Sequence, residues 1–201
     1  MANIALVGAT GNIGTRILNE ALARGHRVTG TTRDAAKLPA VEGLTAATAH
    51  PADTAALAGV LKGHDVAVVS VRWDAIDVDP IIEAIRKSGV RRALFVVGAG
   101  SLLRADGRLH FEHMTPPPPS SKPAMVALEK LRTVDDFAWT AISPPAAIRP
   151  GERTGKFRTG TDTMVVDALG EGRISREDFA VAILDEIENP KHVMRRFTVG
   201  Y

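Results

Sequence analysis

Short apolar runs alternate with segments of helical periodicity along the first half of the chain. Residues 4–7 are an apolar run typical of a strand buried on both faces, and the apolar positions that follow recur at helical spacing up to Gly25. The further elements predicted in this half are strands at 27–32, 44–49, 65–71 and 93–97, and helices at 54–62 and from Asp79 to Gly89. This alternation predicts an α/β fold, a Rossmann-type doubly wound parallel sheet with helices on both faces.

The second half of the chain is less regular, and two of its segments suit loops. Residues 102–124 include four consecutive prolines, 116–119, which exclude a helix or a central strand. This loop follows the fifth strand, at the carboxyl edge where ligands bind, so it is either a substrate lid or an inert connection. Residues 144–162 are turn-rich and predict a second substrate-side loop. The other elements predicted here are a helix from Pro123, a strand at 137–142, a helix from Ser175 to Asn189-Pro190, and a strand at 196–200.

Three glycines lie where the first strand passes into the first helix. They are Gly8, Gly11 and Gly14, and the residues between them include Thr10, Asn12 and Ile13. A backbone without β-carbons can turn tightly and let a diphosphate approach the free N–H groups at the positive end of the helix. We therefore predict that all six residues bind a dinucleotide, in preference to a purely structural turn.

The end of the second strand indicates which dinucleotide binds. Arg33 stands 19 residues after Gly14, where NAD-specific folds carry an acidic residue that binds the adenine ribose. A guanidinium at this position suits a 2′-phosphate, so NADPH is predicted, with NADH as the alternative if Asp34 takes the ribose. Ser70 and Val71, at the end of the fourth strand, are predicted to flank the cofactor.

Composition and charge exclude several other classes of protein. The chain of 201 residues fits one domain, residues 1–201, and 25 Lys and Arg against 23 Asp and Glu give a net charge of +2. No block of like charge indicates binding to nucleic acid or to a membrane, and no apolar stretch reaches the length of a membrane span. There is no cysteine, which excludes disulfides and thiolate catalysis. We expect a cytoplasmic protein without a signal peptide, either a monomer or a small homo-oligomer.

The single tyrosine limits the chemistry of the site. Typical short-chain dehydrogenases use a Tyr-x-x-x-Lys pair as acid and base, but here the one tyrosine, Tyr201, has no following lysine. Hydride transfer to a flavin or quinone needs little such help, because the nicotinamide carries the chemistry.

His110 and His113 lack an evident third ligand, so no metal site is predicted. Trp73 suits either stacking on a planar acceptor or packing.

Three stretches of the chain resemble bacterial NAD(P)H:flavin reductase-like proteins. They are the glycine loop 7–14, the segment 96–102, and Ser143-Pro144 together with residues 150–157, Pro-Gly-Glu-Arg-Thr-Gly-Lys-Phe. These proteins are atypical short-chain dehydrogenase/reductases related to the biliverdin reductase B and NmrA-like groups. The resemblance covers the whole chain and implies a single Rossmann domain, NAD(P)H as cofactor, and a flavin-like or quinone-like small-molecule acceptor. The flavin is then a substrate and not a tightly bound cofactor.

The sequence departs from these relatives on both sides of the expected site. His50 stands where relatives commonly carry an aspartate near the adenine, and Ala146 stands where biliverdin reductase B has a histidine. At the expected nicotinamide edge the remaining candidates are the backbone around Gly98 and the side chain of Ser101, which is interpreted either as catalytic or as a turn residue.

Two functions are consistent with the same glycine loop. One is an NADPH-dependent reductase that delivers hydride to a flavin, a quinone or a similar conjugated acceptor. The alternative is a non-catalytic NmrA-like redox sensor, which binds the dinucleotide and passes its oxidation state to a partner protein. A nucleotide-sugar epimerase or dehydratase is disfavoured because the acid/base tyrosine is missing.

Overall fold

The computed structural model describes residues 1–201 and contains ten strands, five α-helices and two short 3-10 helices, at Ala35–Lys37 and His110–His113. The strands are β1 (Asn3–Val7), β2 (Arg27–Thr32), β3 (Leu44–Thr48), β4 (Val66–Val69), β5 (Arg92–Val96), β6 (Ala138–Ser143), β7 (Ala147–Arg149), β8 (Arg158–Gly160), β9 (Arg173–Ser175) and β10 (Arg195–Gly200). The helices are α1 (Gly14–Ala23), α2 (Thr54–Leu61), α3 (Asp79–Ser88), α4 (Ser121–Leu131) and α5 (Arg176–Glu188).

Eight strands form one sheet in the order β3-β2-β1-β4-β5-β6-β10-β8. Every neighbouring pair is parallel except β10 and the edge strand β8, which are antiparallel. The strand order reverses between β1 and β4, and in doubly wound sheets the crevice outside the carboxyl ends at this point binds ligands. The predicted Rossmann-type fold is confirmed, and the switch point directs attention to the loops after β1 and β4.

Apolar side chains cover both faces of the sheet. Alternate residues of β1 point to opposite faces, so Ile4 and Leu6 enter one core while Ala5 and Val7 enter the other. Helices α1 and α5 cover the first face, and α2, α3 and α4 cover the second. The central strands therefore read as continuous apolar runs, as expected for strands buried on both sides.

The ends of several helices follow the capping signals in the sequence. Asp53 accepts a hydrogen bond from the N–H of Ala56 (3.0 Å) at the start of α2, and Gly89 ends α3 with a φ of +77°. Ser175 accepts a hydrogen bond from the N–H of Asp178 (2.9 Å) at the start of α5. These caps explain why the predicted helix boundaries agree closely with the observed ones.

The structure differs from the prediction in the less regular half. Helix α4 begins at Ser121, two residues before Pro123, because proline is tolerated in the first turn of a helix. Two short strands, β7 and β8, lie in the predicted loop 144–162, and a third, β9, lies in a stretch for which no element is predicted. β7 pairs with β9 in a separate two-stranded sheet, and β8 pairs with β10. Strands of three residues are too short to show a period, so the sequence pattern does not reveal them.

The segment 102–124 is folded back on itself. Leu103 forms isolated bridges with Leu109 and with Thr163, and the N–H of Phe111 donates to the carbonyl of Gly100 (2.9 Å). The proline run 116–119 that follows is exposed. Whether this segment closes over a substrate stays a prediction.

None of the five α-helices has the length and apolar character needed to cross a bilayer.

Candidate functional site

A cleft of about 870 Å³ lies at the carboxyl edge of the sheet, at the switch point between β1 and β4. It is formed by the glycine loop and by the residues that follow β2, β3 and β4. The lining residues are Gly8, Thr10, Gly11, Asn12, Ile13, Thr31, Thr32, Arg33, Ala49, His50, Pro51, Ser70, Val71, Arg72, Ala75 and Ile76. Eight of the residues predicted to bind a dinucleotide are in this set, and they come from three separate strand ends.

The glycine loop is packed too closely for side chains at two of its glycines. A β-carbon on Gly8, where φ is +90°, would lie 2.2 Å from the carbonyl oxygen of Ser70. A β-carbon on Gly14 would lie 2.0 Å from the carbonyl oxygen of Gly8. Gly14 is buried behind the loop and does not line the cleft. These two glycines shape the loop, while Gly11, Asn12 and Ile13 present its surface.

Backbone N–H groups of the loop divide into paired and unpaired donors. Those of Gly8 and Ala9 both donate to the carbonyl of Thr31 (3.3 and 3.2 Å), and that of Gly11 donates to the carbonyl of Gly8 (3.1 Å). The N–H groups of Thr10, Asn12 and Ile13 have no acceptor in the protein. Three unpaired donors at the start of α1 are a ready binding site for an anion such as a diphosphate.

A buried hydroxyl adds a further unpaired polar group beside this loop. Thr31 is 1% exposed, and its Oγ1 has no hydrogen-bond partner in the protein. Buried polar groups are normally hydrogen-bonded, and this residue is part of the cleft lining. The donor set therefore fits a polyanionic ligand that also presents hydroxyl or phosphate oxygens.

Arg33 and Asp34 have different environments, which bears on the choice between the two predicted dinucleotides. Arg33 is exposed, lines the cleft, and makes no hydrogen bond or ion pair within the protein. Asp34 does not line the cleft, and its carboxylate accepts a hydrogen bond from the N–H of Ala36 (3.1 Å). Arg72, also in the lining, is paired with Asp74. Arg33 is therefore an unpaired cation in the part of the cleft that lies beside the ends of β2 and β3.

His50 lies beside Arg33, at the end of the neighbouring strand. The N–H of Ala52 donates to its Nδ1 (3.2 Å), so the neutral ring in this arrangement carries its proton on Nε2. An aspartate at this position would only accept hydrogen bonds, whereas this imidazole has a donor available. The departure from the relatives' pattern thus changes the hydrogen bonds that this end of the cleft can make.

Gly98 and Ser101 are outside the residues that line the cleft. A β-carbon on Gly98 would lie 3.0 Å from the β-carbon of Ala124, so this glycine allows α4 to approach the end of β5. The Oγ of Ser101 accepts a hydrogen bond from Nη1 of Arg196 (3.1 Å). Arg196 was not among the sequence-derived candidates, because a basic pair before an apolar strand is typically a solvated edge. Its side chain is instead 3% exposed.

Tyr201 has partners of its own within the protein. Its hydroxyl donates to Oδ2 of Asp178 (2.8 Å) and accepts from the N–H of Ser175 (3.1 Å). Asp178 is fully buried and also accepts from Thr154 Oγ1 (2.5 Å) and from the N–H of Gly155 (2.8 Å). These bonds attach the Gly-Glu-Arg-Thr-Gly-Lys segment to the start of α5.

The same segment is attached to α1 by an ion pair. Both Nε and Nη2 of Arg153 donate to the carboxylate of Glu20 (2.7 Å each), and Arg24 donates to it as well (2.7 Å). The hydrogen bond from Arg153 holds the pKa of Glu20 below its ordinary value. Contact of residues 144–162 with a substrate stays a prediction.

Two further candidates have structural partners. Trp73 is 5% exposed and its Nε1 donates to the carbonyl of Val96 (2.8 Å), which supports the packing interpretation. His110 accepts a hydrogen bond from Arg104 (3.4 Å), and His113 pairs with Asp106 (3.0 Å). The two imidazoles therefore have separate partners.

Residues 8–190 match the profile of a family described as NAD(P)H-binding. The chain is 34% identical to the uncharacterized protein YwnB of Bacillus subtilis, over 98% of this chain and 97% of that protein. It is 37% identical to a structure provisionally named an exported protein from Burkholderia pseudomallei, which covers 100% of both chains with a TM-score of 0.89. It is also 37% identical to one provisionally named an epimerase from Bacteroides thetaiotaomicron, over 99% and 96% of the chains, with a TM-score of 0.90.

A more distant structure shares the fold. It is provisionally named an NADH-flavin reductase, from Streptococcus pneumoniae, and is 24% identical over 100% of this chain and 99% of that one, with a TM-score of 0.84.

Proposed function

This chain belongs to the NAD(P)H-binding family, and we propose that it is an NADPH-dependent reductase that delivers hydride to a planar conjugated acceptor such as a flavin or a quinone. The NAD(P)H-binding family and the Rossmann fold, both implied by the resemblance of three sequence stretches to flavin reductase-like atypical short-chain dehydrogenase/reductases, are confirmed by the comparisons. The acceptor class and the preference for NADPH are the parts that we add.

The unpaired N–H groups of Thr10, Asn12 and Ile13 are the observation that carries the proposal. They face a cleft at the switch point of the sheet and lie at the positive end of α1. Any helix begins with N–H groups that lack an intrahelical acceptor, but here they lie in a cleft that also contains the unpaired guanidinium of Arg33, and this combination suits a polyanionic ligand. In the proposed complex these donors bind the diphosphate of the dinucleotide.

Arg33 supports NADPH over NADH. It is an unpaired guanidinium at the end of β2, and Asp34, which would suit a ribose, is engaged with Ala36. A guanidinium binds a phosphate through two parallel hydrogen bonds. The donor on Nε2 of His50, at the neighbouring strand end, adds a second group that suits a phosphate.

The absence of an acid/base tyrosine supports a conjugated acceptor. The one tyrosine of the sequence, Tyr201, does not line the cleft and is bonded to Asp178 and Ser175. A bound nicotinamide supplies the hydride, and the protein has to bind and orient the two reactants. Flavins and quinones spread the incoming charge over a conjugated ring, so they make the smallest demand on an acid or base.

The test is oxidation of NADPH and NADH by the purified protein without oxygen, with FMN, FAD and a simple quinone as acceptors. Saturable turnover that prefers NADPH is the expected result. Tight binding of NADPH with no turnover on any acceptor would contradict the reductase and favour the NmrA-like sensor. Equally efficient turnover with NADH and with NADPH would contradict only the role of Arg33 and would leave the reductase proposal unchanged.

A further inference from the structure

Arg196 is a buried cation, and its ion pair with Asp162 provides acceptors for only part of its guanidinium group. It lies in β10 with 3% of its side chain exposed, and its Nε donates to Oδ1 of Asp162 (3.0 Å), which Nη2 also contacts. Burying a guanidinium is costly unless its donors are satisfied. Asp162 is 57% exposed and satisfies two of the three nitrogens.

The third nitrogen reaches the ends of two other strands. Nη1 of Arg196 donates to the Oγ of Ser101 (3.1 Å), in the loop after β5, and lies 3.4 Å from the Oγ of Ser143, the last residue of β6. Ser143 is fully buried, whereas Ser101 is partly exposed. Neither hydroxyl donates to any acceptor in the protein. Of the two, Ser101 alone can present its proton to a ligand.

We propose that Arg196 is a positioning residue that holds and polarises Ser101, so that the Ser101 hydroxyl donates a hydrogen bond to the acceptor. The inference rests on the proposed reductase function. A cationic donor occupies a lone pair of the Ser101 oxygen, which directs the hydroxyl proton away from Arg196 and makes it a stronger donor. The acceptor's oxygen or ring nitrogen gains negative charge as hydride arrives, and this hydrogen bond stabilises that charge.

The arrangement resembles a tyrosine–lysine pair in placing a hydroxyl beside a cation, but the serine hydroxyl donates a hydrogen bond and transfers no proton. Here the cation comes from β10 and the hydroxyl from the loop after β5, so no sequence spacing links them. Arg132, 3.8 Å from Asp162, is the other charged side chain in this cluster. If Arg196 served the fold alone, its ion pair with Asp162 would be sufficient, and the hydrogen bond to Ser101 would have no function.

The lack of cysteine in the chain allows a test that does not depend on activity. In the Ser101→Cys variant the new thiol is the sole one, and the pH dependence of its alkylation by iodoacetamide gives its pKa. A thiol beside Arg196 should titrate about one unit or more below the free value of about 8.5. Ala40→Cys, at an exposed loop position, is the matched control and should titrate near the free value.

Removal of the charge should reverse the shift. Arg196→Gln in the Ser101→Cys background is expected to raise the thiol pKa to that of the control, and Arg196→Lys to keep part of the shift. An unshifted thiol in Ser101→Cys, or a shifted one that Arg196→Gln leaves unchanged in folded protein, would overturn the proposal. If Arg196→Gln does not fold, the comparison of Ser101→Cys with Ala40→Cys and with the lysine variant still decides.

Turnover provides the second readout. Ser101→Ala and Arg196→Lys should lower kcat, the first by roughly 100-fold, with KM for NADPH unchanged, and the double variant should be no slower than Ser101→Ala. Ser143→Ala is the control and should keep the wild-type kcat. Additive losses would contradict the coupling. If the wild-type protein reduces no acceptor, the reductase proposal fails, while the thiol titration still decides whether Arg196 polarises residue 101.

Discussion

The carbonyl oxygen of Gly8 lies 2.0 Å from the point that a β-carbon on Gly14 would occupy. The first turn of α1 is thus packed directly against Gly8, the residue that follows β1. Since the backbone fixes the position of a β-carbon and the contacted oxygen is itself a backbone atom, no side-chain rotation can relieve the clash. The glycine pattern therefore follows from close packing between strand and helix as well as from contact with a ligand.

Gly14→Ala is expected to destabilise the fold as well as weaken NADPH binding. We expect a loss of about 1–3 kcal/mol or more in the free energy of unfolding, measured by urea denaturation, because the loop must move to admit the methyl group. Gly59→Ala is the matched control: nothing lies within 4 Å of its added β-carbon, in the middle of α2. It should stabilise the protein by about 0.5–1 kcal/mol. Equal stability of the two variants would contradict this packing.

Arg33→Asp should reverse the preference for the dinucleotide. Loss of a charge-assisted hydrogen bond is worth about 1.5–3 kcal/mol, which corresponds to roughly 10- to 150-fold in Kd for NADPH. The Kd for NADH should change little. Arg72→Ala removes the other arginine of the cleft, already paired with Asp74, and should affect both dinucleotides alike. Equal losses for NADPH and NADH in Arg33→Asp would refute the assignment.

Acid should weaken the attachment of the Gly-Glu-Arg-Thr-Gly-Lys segment to α1. The pKa of Glu20 is lower in the folded protein than its ordinary value of 4.5, chiefly through Arg153. A depressed carboxyl pKa contributes stability above the unfolded value, and this contribution is lost as the pH falls through the folded value.

The Glu20→Gln variant tests this linkage. It should be less stable than wild type at neutral pH, yet lose less of its remaining stability between about pH 5 and pH 3. The measurement is the free energy of unfolding across that range. Glu42→Gln, at an exposed position, should leave the slope unchanged. A Glu20→Gln variant with the wild-type slope would contradict the assigned role.

Tyr201→Phe should affect stability and leave catalysis intact. The hydroxyl bridges Ser175 and Asp178, and its removal leaves a buried N–H and a buried carboxylate each short of one partner, at a cost of about 1–3 kcal/mol. Thermal unfolding should report this loss, while kcat and the Kd for NADPH stay within about twofold of wild type. A selective fall in kcat would instead give Tyr201 the catalytic role that its position argues against.

Much of the fold follows from local signals in the sequence. The run from Ile4 to Val7, the glycines and the caps at Asp53 and Gly89 each act over a few residues, so pattern and propensity are enough to find them. The cleft was predictable for the same reason: residues just after β1, β2 and β4 meet at one edge of any parallel sheet with this order.

The contacts that the sequence does not reveal are those between distant residues. Arg196 reaches Ser101 across 95 positions, and the partners of Asp178 are Thr154, Gly155 and Tyr201. Nothing in the residues adjacent to Arg196 distinguishes it from a solvated arginine, because its burial depends on how β10 enters the sheet between β6 and β8. Similarly, β7 and β9 are strands because they pair with each other, so neither can be predicted from its own three residues.

Calorimetric titration of the wild-type protein with NADPH, and separately with NADH, tests the central claim most directly. The unpaired N–H groups of Thr10, Asn12 and Ile13 together with Arg33 predict one saturable site per chain, with NADPH bound at least roughly 10-fold more tightly than NADH. Absence of binding by both dinucleotides would show that the cleft serves another ligand. It would contradict the proposed function at its foundation.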